Sequence, residues 1–449
     1  MPPEPLLSES EDVQAVQDDR PVYFLSIEVE NLLCFKSRQT LDLTDTNGCP
    51  AKWTVILGDN GVGKTTLLRC LAGMEMYLGR KTDFWWEKIL TQNLAKLKAS
   101  VIVGSLNDEI MDNPDRMFQS LLVDFIDEKI IRLVMDNNNK DHISASKKVE
   151  PLKCYGYGAN RRIGEASLKE SIESDNTASL FSDNATLLNA EEWLLQADYS
   201  IALSARTGTV NPKLERRYQI IIEILKELLP DVEDVRIVMA GENRSGAIAE
   251  FLTPYGWVPL SSLGLGYRTV IAWTVDLAAR MLDRYPDSDD PLSEPAVVLV
   301  DEIDLHLHPK WQRTIMTFLG DRFKNTQFIV TAHSPLVVQA AQNANLVLLR
   351  REGDEVIIDN NPEIIKNWRV DQVLTSVFEL PSALPIEIEA LIERRQKILS
   401  KSKLTAKDER ELKKLEDQIG TIPTAESRED IRAMDIIRQA AKLLENRKP

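Results

Sequence analysis

The chain has 449 residues and a mass of 50.8 kDa, enough for two or three domains or for one large core with an insertion. Hydrophobic residues make up 43% and charged residues 28%, which is typical of a globular protein, and no apolar run approaches the roughly 18 residues that a membrane span needs. A net charge of −16 argues against a surface built broadly for nucleic acid, although it leaves room for a local basic groove.

The N-terminal residues 1–20 are acidic and contain no basic region followed by an apolar one. They therefore predict a disordered tail rather than a secretory signal. The four cysteines (Cys34, Cys49, Cys70 and Cys154) form no C-x-x-C pair, which fits free thiols in a reducing compartment. We therefore expect a cytoplasmic protein without contact to a membrane.

Residues 21–57 alternate between apolar and polar side chains, which predicts strands, and a helix is predicted over 63–79. Between the last strand and this helix, residues 58–65 read GDNGVGKT and match G-x-x-x-x-G-K-[ST] at every fixed position. Backbone N–H groups of such a loop converge on phosphate oxygens, and the helix N-terminus adds a favourable field. The expected nucleotide contacts come from Asn60, Gly61, Val62, Gly63, Lys64, Thr65 and Thr66.

Two of these residues have a more specific predicted role. Lys64 places a positive charge near the outer phosphates, and the Thr65 hydroxyl is a predicted ligand of Mg²⁺. The alternative is a plain glycine turn. The sequence thus predicts ATP and Mg²⁺ as cofactors.

From about 80 to 245 the pattern is mixed and irregular, and we interpret this region as an α/β insertion. Helices are predicted at 189–204 and 212–229, and strands at 99–106 and 130–135. The stretch YGANRR contains Tyr157, Arg161 and Arg162. Its arginines could face phosphates or a polynucleotide, or could form a simple basic loop.

After residue 245 the order is regular. A strand pair is predicted at 246–260, a helix at 267–284, apolar strands at 296–300, 326–332 and 344–350, and one continuous helix over 309–323. Apolar strands that alternate with helices predict an α/β fold with a mostly parallel sheet buried on both faces.

Acidic side chains follow the first of these apolar strands. Asp301 is placed to hold the water shell of Mg²⁺, and Glu302 is placed to polarise the attacking water. An exposed acidic turn is the alternative. Because a phosphate loop lies upstream, we predict that Asp301 is a metal ligand and Glu302 a catalytic base.

Three of the four histidines lie near this acidic pair. His333 ends a second apolar strand, where it would contact the γ-phosphate and the attacking water, or would be an ordinary core histidine. His306 and His308 suggest a zinc or iron site at first sight, but zinc needs three or four ligands and Mg²⁺ prefers oxygen. We expect these two to shape the turn, at a place where a second subunit approaches.

Residues 361–449 are rich in charged helical patterns. A helical hairpin is predicted around residues 385–420, with Thr405 as N-cap, Leu412, Leu415 and Ile419 on one face, and Gly420 as the stop. A last amphipathic helix is predicted at 428–444. The region is either a plain helical appendage or a surface that docks a partner.

The phosphate loop, the strand ending DEIDLHLHP and the strand ending TAHSP together resemble ABC-type ATPase heads of the RecF, Rad50, SMC and OLD class. The stretches CYGYGANRR, EEWLLQADY, GLGYRTVIAWTVDLAAR and NWRVDQVLTSVF are most similar to the ATPase subunits of Septu-type anti-phage systems and their retron-associated relatives. The resemblance covers nearly the whole chain from residue 21 and implies an ATPase domain over 21–360.

This resemblance also implies a head-to-tail dimer in which a signature motif at a helix N-terminus caps the γ-phosphate of the second copy. The motif falls on PLSSLGLGY, so Ser262, Gly264 and Gly266 are the expected contacts. Gly264 stands where the family has serine, and Ser261 and Ser262 lie upstream. For the glutamine loop of the family, Gln92 is the one candidate.

The implied function is that of an ATPase that controls a separate nuclease effector of HNH type, since the chain shows neither a Toprim acidic cluster nor an H-N-H pattern. Contact with nucleic acid would then pass through that partner or a local basic groove. The alternatives are a RecF- or SMC-like repair ATPase acting directly on DNA, or the nucleotide-binding subunit of a transporter. The acidic chain and the lack of a long coiled coil argue against the repair ATPase.

Overall fold

The computed structural model describes residues 21–79, 96–103, 118–126, 129–136, 153–164, 176–208, 211–229, 231–239, 246–360, 369–378, 380, 385–401 and 404–419. The strands in chain order are β1 (Val22–Glu30), β2 (Gln39–Asp42), β3 (Trp53–Gly58), β4 (Lys96–Val103), β5 (Phe118–Ile126), β6 (Lys129–Asp136), β7 (Cys154–Tyr157), β8 (Arg162–Ile163), β9 (Thr186–Leu187), β10 (Asp234–Val238), β11 (Ile248–Thr253), β12 (Gly256–Pro259), β13 (Ala296–Val300), β14 (Thr326–Thr331), β15 (Asn345–Glu352) and β16 (Glu355–Asp359). The α-helices are α1 (Lys64–Gly79), α2 (Ala178–Phe181), α3 (Ala190–Thr207), α4 (Pro212–Leu228), α5 (Leu265–Arg284), α6 (Pro309–Gln312), α7 (Ile315–Arg322), α8 (Pro335–Ala340), α9 (Val370–Ser376), α10 (Ile386–Leu399) and α11 (Ala406–Ile419).

The central sheet has the strand order β16-β15-β3-β14-β13-β7. All neighbouring strands in it are parallel except the pair β15 and β16. Parallel neighbours bring the carboxyl ends of β3, β13, β14 and β7 to the same edge, where ligands bind in open α/β sheets. The predicted α/β fold with a mostly parallel core sheet is therefore confirmed.

Both faces of this sheet are buried, which explains why its strands are apolar runs rather than alternating patterns. Side chains on one face pack with residues of α4 and α5, and those on the other pack with α1 and β1. Burial of each such side chain contributes about 1.5–3 kcal/mol. The first face carries Val55, Leu57, Val298, Val300, Phe328 and Val330, and the second carries Ile56, Val297, Leu299, Ile329, Val347 and Leu349.

Two antiparallel sheets adjoin this core. The order β2-β1-β4-β5-β6 forms the larger one, and the smaller one has the order β10-β11-β12. The hairpin of β11 and β12 is the strand pair predicted at 246–260. The strands predicted at 99–106 and 130–135 are β4 and β6, and the helices predicted at 189–204 and 212–229 are α3 and α4.

The structure differs from the sequence-based expectations in three places. The predicted helix 309–323 is interrupted at Arg313 and Thr314, which separate α6 from α7. Strand β7 lies within the region interpreted as an insertion, yet it pairs with β13 in the central sheet. Val373 and Val377 pack into the same core as the sheet, and the contacts divide the chain after Phe378, whereas the sequence predicts a boundary after residue 360.

The second unit, from residue 379 on, contains α10 and α11 in its described part. Leu412, Leu415 and Ile398 form its small apolar cluster. The Thr405 hydroxyl accepts from the backbone N–H of Asp408 at 3.3 Å, and the Asp408 carboxylate accepts from the backbone N–H of Thr405 at 2.9 Å. This reciprocal cap starts α11 as predicted. Gly420 and the helix predicted at 428–444 lie outside the described residues.

Among the helices that the structure describes, we find none with the length and apolar character needed to cross a bilayer.

Candidate nucleotide-binding and hydrolysis site

The loop of residues 58–65 connects β3 to α1, as the sequence predicts. Gly58 and Gly63 have φ values of 140° and 89°, which favour glycine. A Cβ at Gly58 would lie 2.6 Å from the carbonyl oxygen of Leu349, and one at Gly63 would lie 2.6 Å from Sγ of Cys34. Backbone conformation and packing thus both exclude a side chain at these two positions.

Lys64 is buried inside this loop. Its Nζ donates to the carbonyl oxygens of Gly58 at 2.8 Å and Asp59 at 2.7 Å. Burial lowers the pKa of Lys64, and the negative charges of Asp301 and Glu302 oppose that shift. An ammonium group has three protons to donate, so two bonds to the loop leave a donor for a phosphate.

The remaining predicted nucleotide contacts surround Lys64. Asn60 and Gly61 are exposed at the tip of the loop, and Gly61 has a φ of 80°. Val62 is buried, while Thr66 is half-buried in the first turn of α1. The tip therefore presents polar backbone to solvent, and its base is anchored in the core.

Asp301 is bracketed by two hydroxyl groups from different elements. Thr65 Oγ1 donates to Asp301 Oδ2 at 2.6 Å, and Thr331 Oγ1 donates to Asp301 Oδ1 at 2.6 Å. The carboxylate is buried, with 5% of the residue exposed. These bonds join the start of α1, the end of β13 and the end of β14 in one place.

Glu302 follows in a strained conformation, with a φ of 50° that bulky residues rarely adopt. Its backbone N–H donates to Thr331 Oγ1 at 2.7 Å, and its carbonyl oxygen accepts from Arg161 Nη2 at 2.7 Å. The residue is half-buried. Bonds on both sides of Glu302 thus hold its backbone in the left-handed region.

His333 lies in the turn between β14 and α8. Its backbone N–H faces both carboxylate oxygens of Asp304, at 3.2 Å each. Ser334 Oγ donates to Gln312 Oε1 at 2.7 Å, and Gln312 Nε2 donates to the carbonyl oxygen of Leu307 at 3.1 Å. The turn after β13 and the turn after β14 are therefore tied together.

His306 and His308 are exposed. His308 accepts from the backbone N–H of Lys310 through Nδ1 at 3.3 Å and so caps α6, whereas His306 has a φ of 62°. Within the described ranges, no group of three or more His, Cys, Asp or Glu side chains is arranged to hold a metal ion. The two histidines belong to the turn after the acidic pair, and His333 lies one strand away.

The predicted signature residues lie at and before the start of α5. Ser262 is exposed in a 3-10 turn, and Gly264 is the exposed N-cap of the helix. A Cβ at Gly266 would lie 2.2 Å from the carbonyl oxygen of His306. The helix start therefore packs closely on the turn that follows Glu302. Gln92 lies outside the described residues.

A cavity of about 740 Å³ opens beside this helix start. Arg161, Arg162 and Arg268 line it together with Asp183 and His306. The YGANRR stretch thus forms one wall of a basic pocket. Arg162 is exposed there, whereas Arg161 turns inward to the acidic pair.

The amino-acid sequence indicates no role for three side chains of the site, which are Thr331, Asp304 and Gln312. Each acts through a bond to a residue far along the chain, so no local spacing indicates it. The position of Thr331 at the end of an apolar strand beside the phosphate-loop strand is the one signal that the sequence offers for it.

Comparisons with known proteins show the family of this chain. The protein-family model described as "AAA domain, putative AbiEii toxin, Type IV TA system" matches residues 158–339, and a second family model described as "AAA domain" matches residues 26–77. The retron Ec83 probable ATPase of Escherichia coli is 30% identical over 429 residues, covering 80% of this chain and 78% of that protein. The chain belongs to the family of the retron ATPases and Septu protein PtuA.

Other members are similar over different shares of their length. Septu protein PtuA of Bacillus mycoides is 25% identical over 405 residues, which cover 88% of this chain and 50% of PtuA. The retron Vc95 probable ATPase of Vibrio cholerae is 30% identical over 205 residues, which cover 45% of this chain and 39% of that protein. The chain thus spans half or less of these two relatives.

Among solved structures, the chain is similar to an Smc head bound to the C-winged helix domain of ScpA, with a TM-score of 0.42, 14% identity, and coverage of 75% of this chain and 97% of that one. An SMC head domain from Thermotoga maritima gives a TM-score of 0.39 at 13% identity, with coverage of 75% and 98%. The strand order and the site geometry described above remain the basis of the fold assignment.

Proposed function

We propose that this chain binds ATP with Mg²⁺ at residues 58–65 and hydrolyses it to ADP and phosphate. The observation that carries this proposal is the chain of hydrogen bonds from Thr65 through Asp301 to Thr331. It brings a phosphate loop, a metal-binding carboxylate and the backbone of Glu302 to one edge of the sheet. Membership of a family whose curated members are called ATPases supports it.

The residues at this edge fit a magnesium ion. Thr65 and Asp301 offer a hydroxyl and a carboxylate oxygen, the hard ligands that Mg²⁺ prefers. Mg²⁺ held there would supply positive charge opposite the phosphate oxygens. Lys64 adds a second positive charge from within the loop, so the two sides of a triphosphate would both be neutralised.

Glu302 is the proposed general base. Its carboxylate would accept a proton from the attacking water, while its fixed backbone keeps the carboxylate oriented. His333 is the proposed partner for the γ-phosphate, at the end of the neighbouring strand. Asp304 holds the backbone of His333, so the two turns would respond together to an occupied site.

We further infer that two copies of the chain meet head to tail around ATP. Gly264, Ser262 and the 58%-exposed Leu265 are open to such a partner at the start of α5. The proposed system-level role is that of the ATPase of an anti-phage defence complex which controls a separate nuclease effector, of HNH type. We place the complex in the cytoplasm, where the four free cysteines would stay reduced.

Two variants separate binding from hydrolysis. Lys64→Ala should weaken ATP binding itself, whereas Glu302→Gln should retain ATP binding, slow turnover by roughly 100-fold or more, and accumulate an ATP-dependent dimer. Calorimetry, phosphate release and light scattering measure the three properties. Unchanged turnover in Glu302→Gln would refute the base assignment.

A separate experiment tests the partner. Co-expression with the adjacent gene product and purification through this chain should recover a complex with nuclease activity. Full ATP turnover by this chain without a partner, together with DNA affinity that rises with ATP and falls steeply with salt, would instead favour a repair ATPase that acts directly on DNA.

A further inference from the structure

Arg161 lies directly behind the acidic pair. It follows β7 in a turn where its φ is 34°, and only 4% of its surface is exposed. The sequence presents it as one of two adjacent arginines in a basic loop. The structure separates the two, because Arg162 faces solvent while Arg161 is buried.

The Arg161 side chain binds the peptide groups on both sides of the Glu302 Cα atom. Its Nη2 donates to the carbonyl oxygens of Asp301 and Glu302, at 2.7 Å each. The backbone N–H of Asp301 donates to the carbonyl oxygen of Tyr157 at 2.8 Å. Residues 157–161 and Thr331 therefore fix the Asp301–Glu302 backbone from two sides, one across β7 and the other across β14.

The Arg161 guanidinium is only partly satisfied at this position. Among the residues that the structure describes, its Nε and Nη1 have no hydrogen-bond partner, and its Cζ lies 5.8 Å from the ring centroid of Trp273. Burial lowers the pKa of Arg161 to about 10, and the charges of Asp301, Asp304 and Glu302 oppose that shift. Two buried nitrogens without partners cost desolvation free energy, which the two bonds of Nη2 and the nearby carboxylates oppose.

The positive charge of Arg161 lies beside the carboxylates of the site. Lys64 approaches the acids from the phosphate loop, and Arg161 approaches them from the opposite wall. Three carboxylates, those of Asp301, Glu302 and Asp304, lie within electrostatic range of Arg161. A second buried cation offsets the mutual repulsion of these carboxylates.

We propose that Arg161 is a positioning residue for hydrolysis: its two bonds hold Glu302 in the left-handed conformation from which the carboxylate acts as base. This inference rests on the ATPase function proposed above. Arg161 does not itself touch the reacting atoms. It acts through Glu302, and its removal would leave the phosphate loop, and therefore ATP binding, intact.

The test compares Arg161→Met with Arg161→Lys and with Arg216→Met, an equal loss of charge at an exposed ion pair on α4. In Arg161→Met we expect kcat to fall by roughly 100-fold, the size of effect that misplacing a catalytic group produces. ATP affinity should stay within about threefold, whereas the thermal midpoint should fall, because the carbonyl oxygens of Asp301 and Glu302 lose their donor and the three carboxylates lose a nearby cation. Arg161→Lys should recover part of kcat because it restores a charged donor. Arg216→Met should match the wild type.

A double-mutant cycle supplies a readout that a merely structural role would not give. If Arg161 acts through Glu302, adding Arg161→Met to Glu302→Gln should cause little further loss of kcat. Independent, multiplying losses would overturn the proposal, as would unchanged kcat in Arg161→Met. If that variant does not fold, the Arg161→Lys comparison and its cycle with Glu302→Gln decide the question alone.

The two proposals fail in different ways. Absence of ATP hydrolysis by the wild-type chain and its partner would refute the ATPase function. Normal wild-type turnover and the expected loss in Glu302→Gln, together with full turnover in both Arg161 variants, would refute the positioning role alone.

Discussion

Thr331 connects Asp301 and Glu302 through a single hydroxyl group, and its removal tests the site directly. Its hydroxyl donates to Asp301 Oδ1 at 2.6 Å and accepts from the backbone N–H of Glu302 at 2.7 Å. Thr331→Val preserves the shape of the side chain and deletes both bonds. Because the residue is fully buried, water does not readily replace them.

The expected loss of stability follows from these two bonds. A hydrogen bond to a charged group contributes about 1.5–3 kcal/mol, and a buried N–H left without a partner costs about 1–3 kcal/mol. We expect Thr331→Val to lower the free energy of unfolding by roughly 3 kcal/mol, and to lower ATP turnover because the backbone of Glu302 loses one of its two supports.

The same strand contains a matched control. Thr326 is also fully buried, at the other end of β14, but its hydroxyl has no hydrogen-bond partner within the described ranges. Thr326→Val should therefore be neutral or stabilising, by up to about 1 kcal/mol, with wild-type turnover. Urea unfolding of both variants measures the difference. Equal destabilisation by the two substitutions would refute the reasoning, since burial and shape are matched and only the bonds differ.

The remaining predictions concern α5. Gly266→Ala should destabilise the chain by about 1–3 kcal/mol and impair turnover, because its Cβ would lie 2.2 Å from the carbonyl oxygen of His306. Gly264→Ala should leave the unfolding midpoint nearly unchanged, because the nearest atom to its Cβ among the described residues would lie 3.8 Å away. Equal unfolding midpoints for Gly264→Ala and Gly266→Ala would contradict the packing argument. Asp276→Ala should cost about 3–5 kcal/mol, because it leaves the buried guanidinium of Arg280 without its carboxylate at 2.7 Å. A loss below about 1 kcal/mol, typical of exposed ion pairs, would show that solvent reaches Arg280.

Much of the fold was predictable from local patterns. Apolar runs flanked by turns indicated β3, β13, β14 and β15, and helical periodicity indicated α3, α4 and α5. The interruption between α6 and α7 was not predicted, because a single apolar periodicity continues across Arg313 and Thr314. The sequence does not predict the place of β7 in the central sheet, because Cys154 and its partner Val297 are 143 residues apart and such pairing leaves no mark in local composition.

The amino-acid sequence by itself determined which residues are candidates for the proposed site: the loop at residues 58–65, the acids Asp301 and Glu302 at a strand end, and His333 at another. These are local signals, because each depends on residues adjacent in the chain. Only the tertiary structure decided which groups hold the acids in place. Thr331 and Arg161 reach them from β14 and from the turn after β7, and such bonds depend on strand order. Strand order is set by packing of the whole sheet, which no short stretch of sequence records.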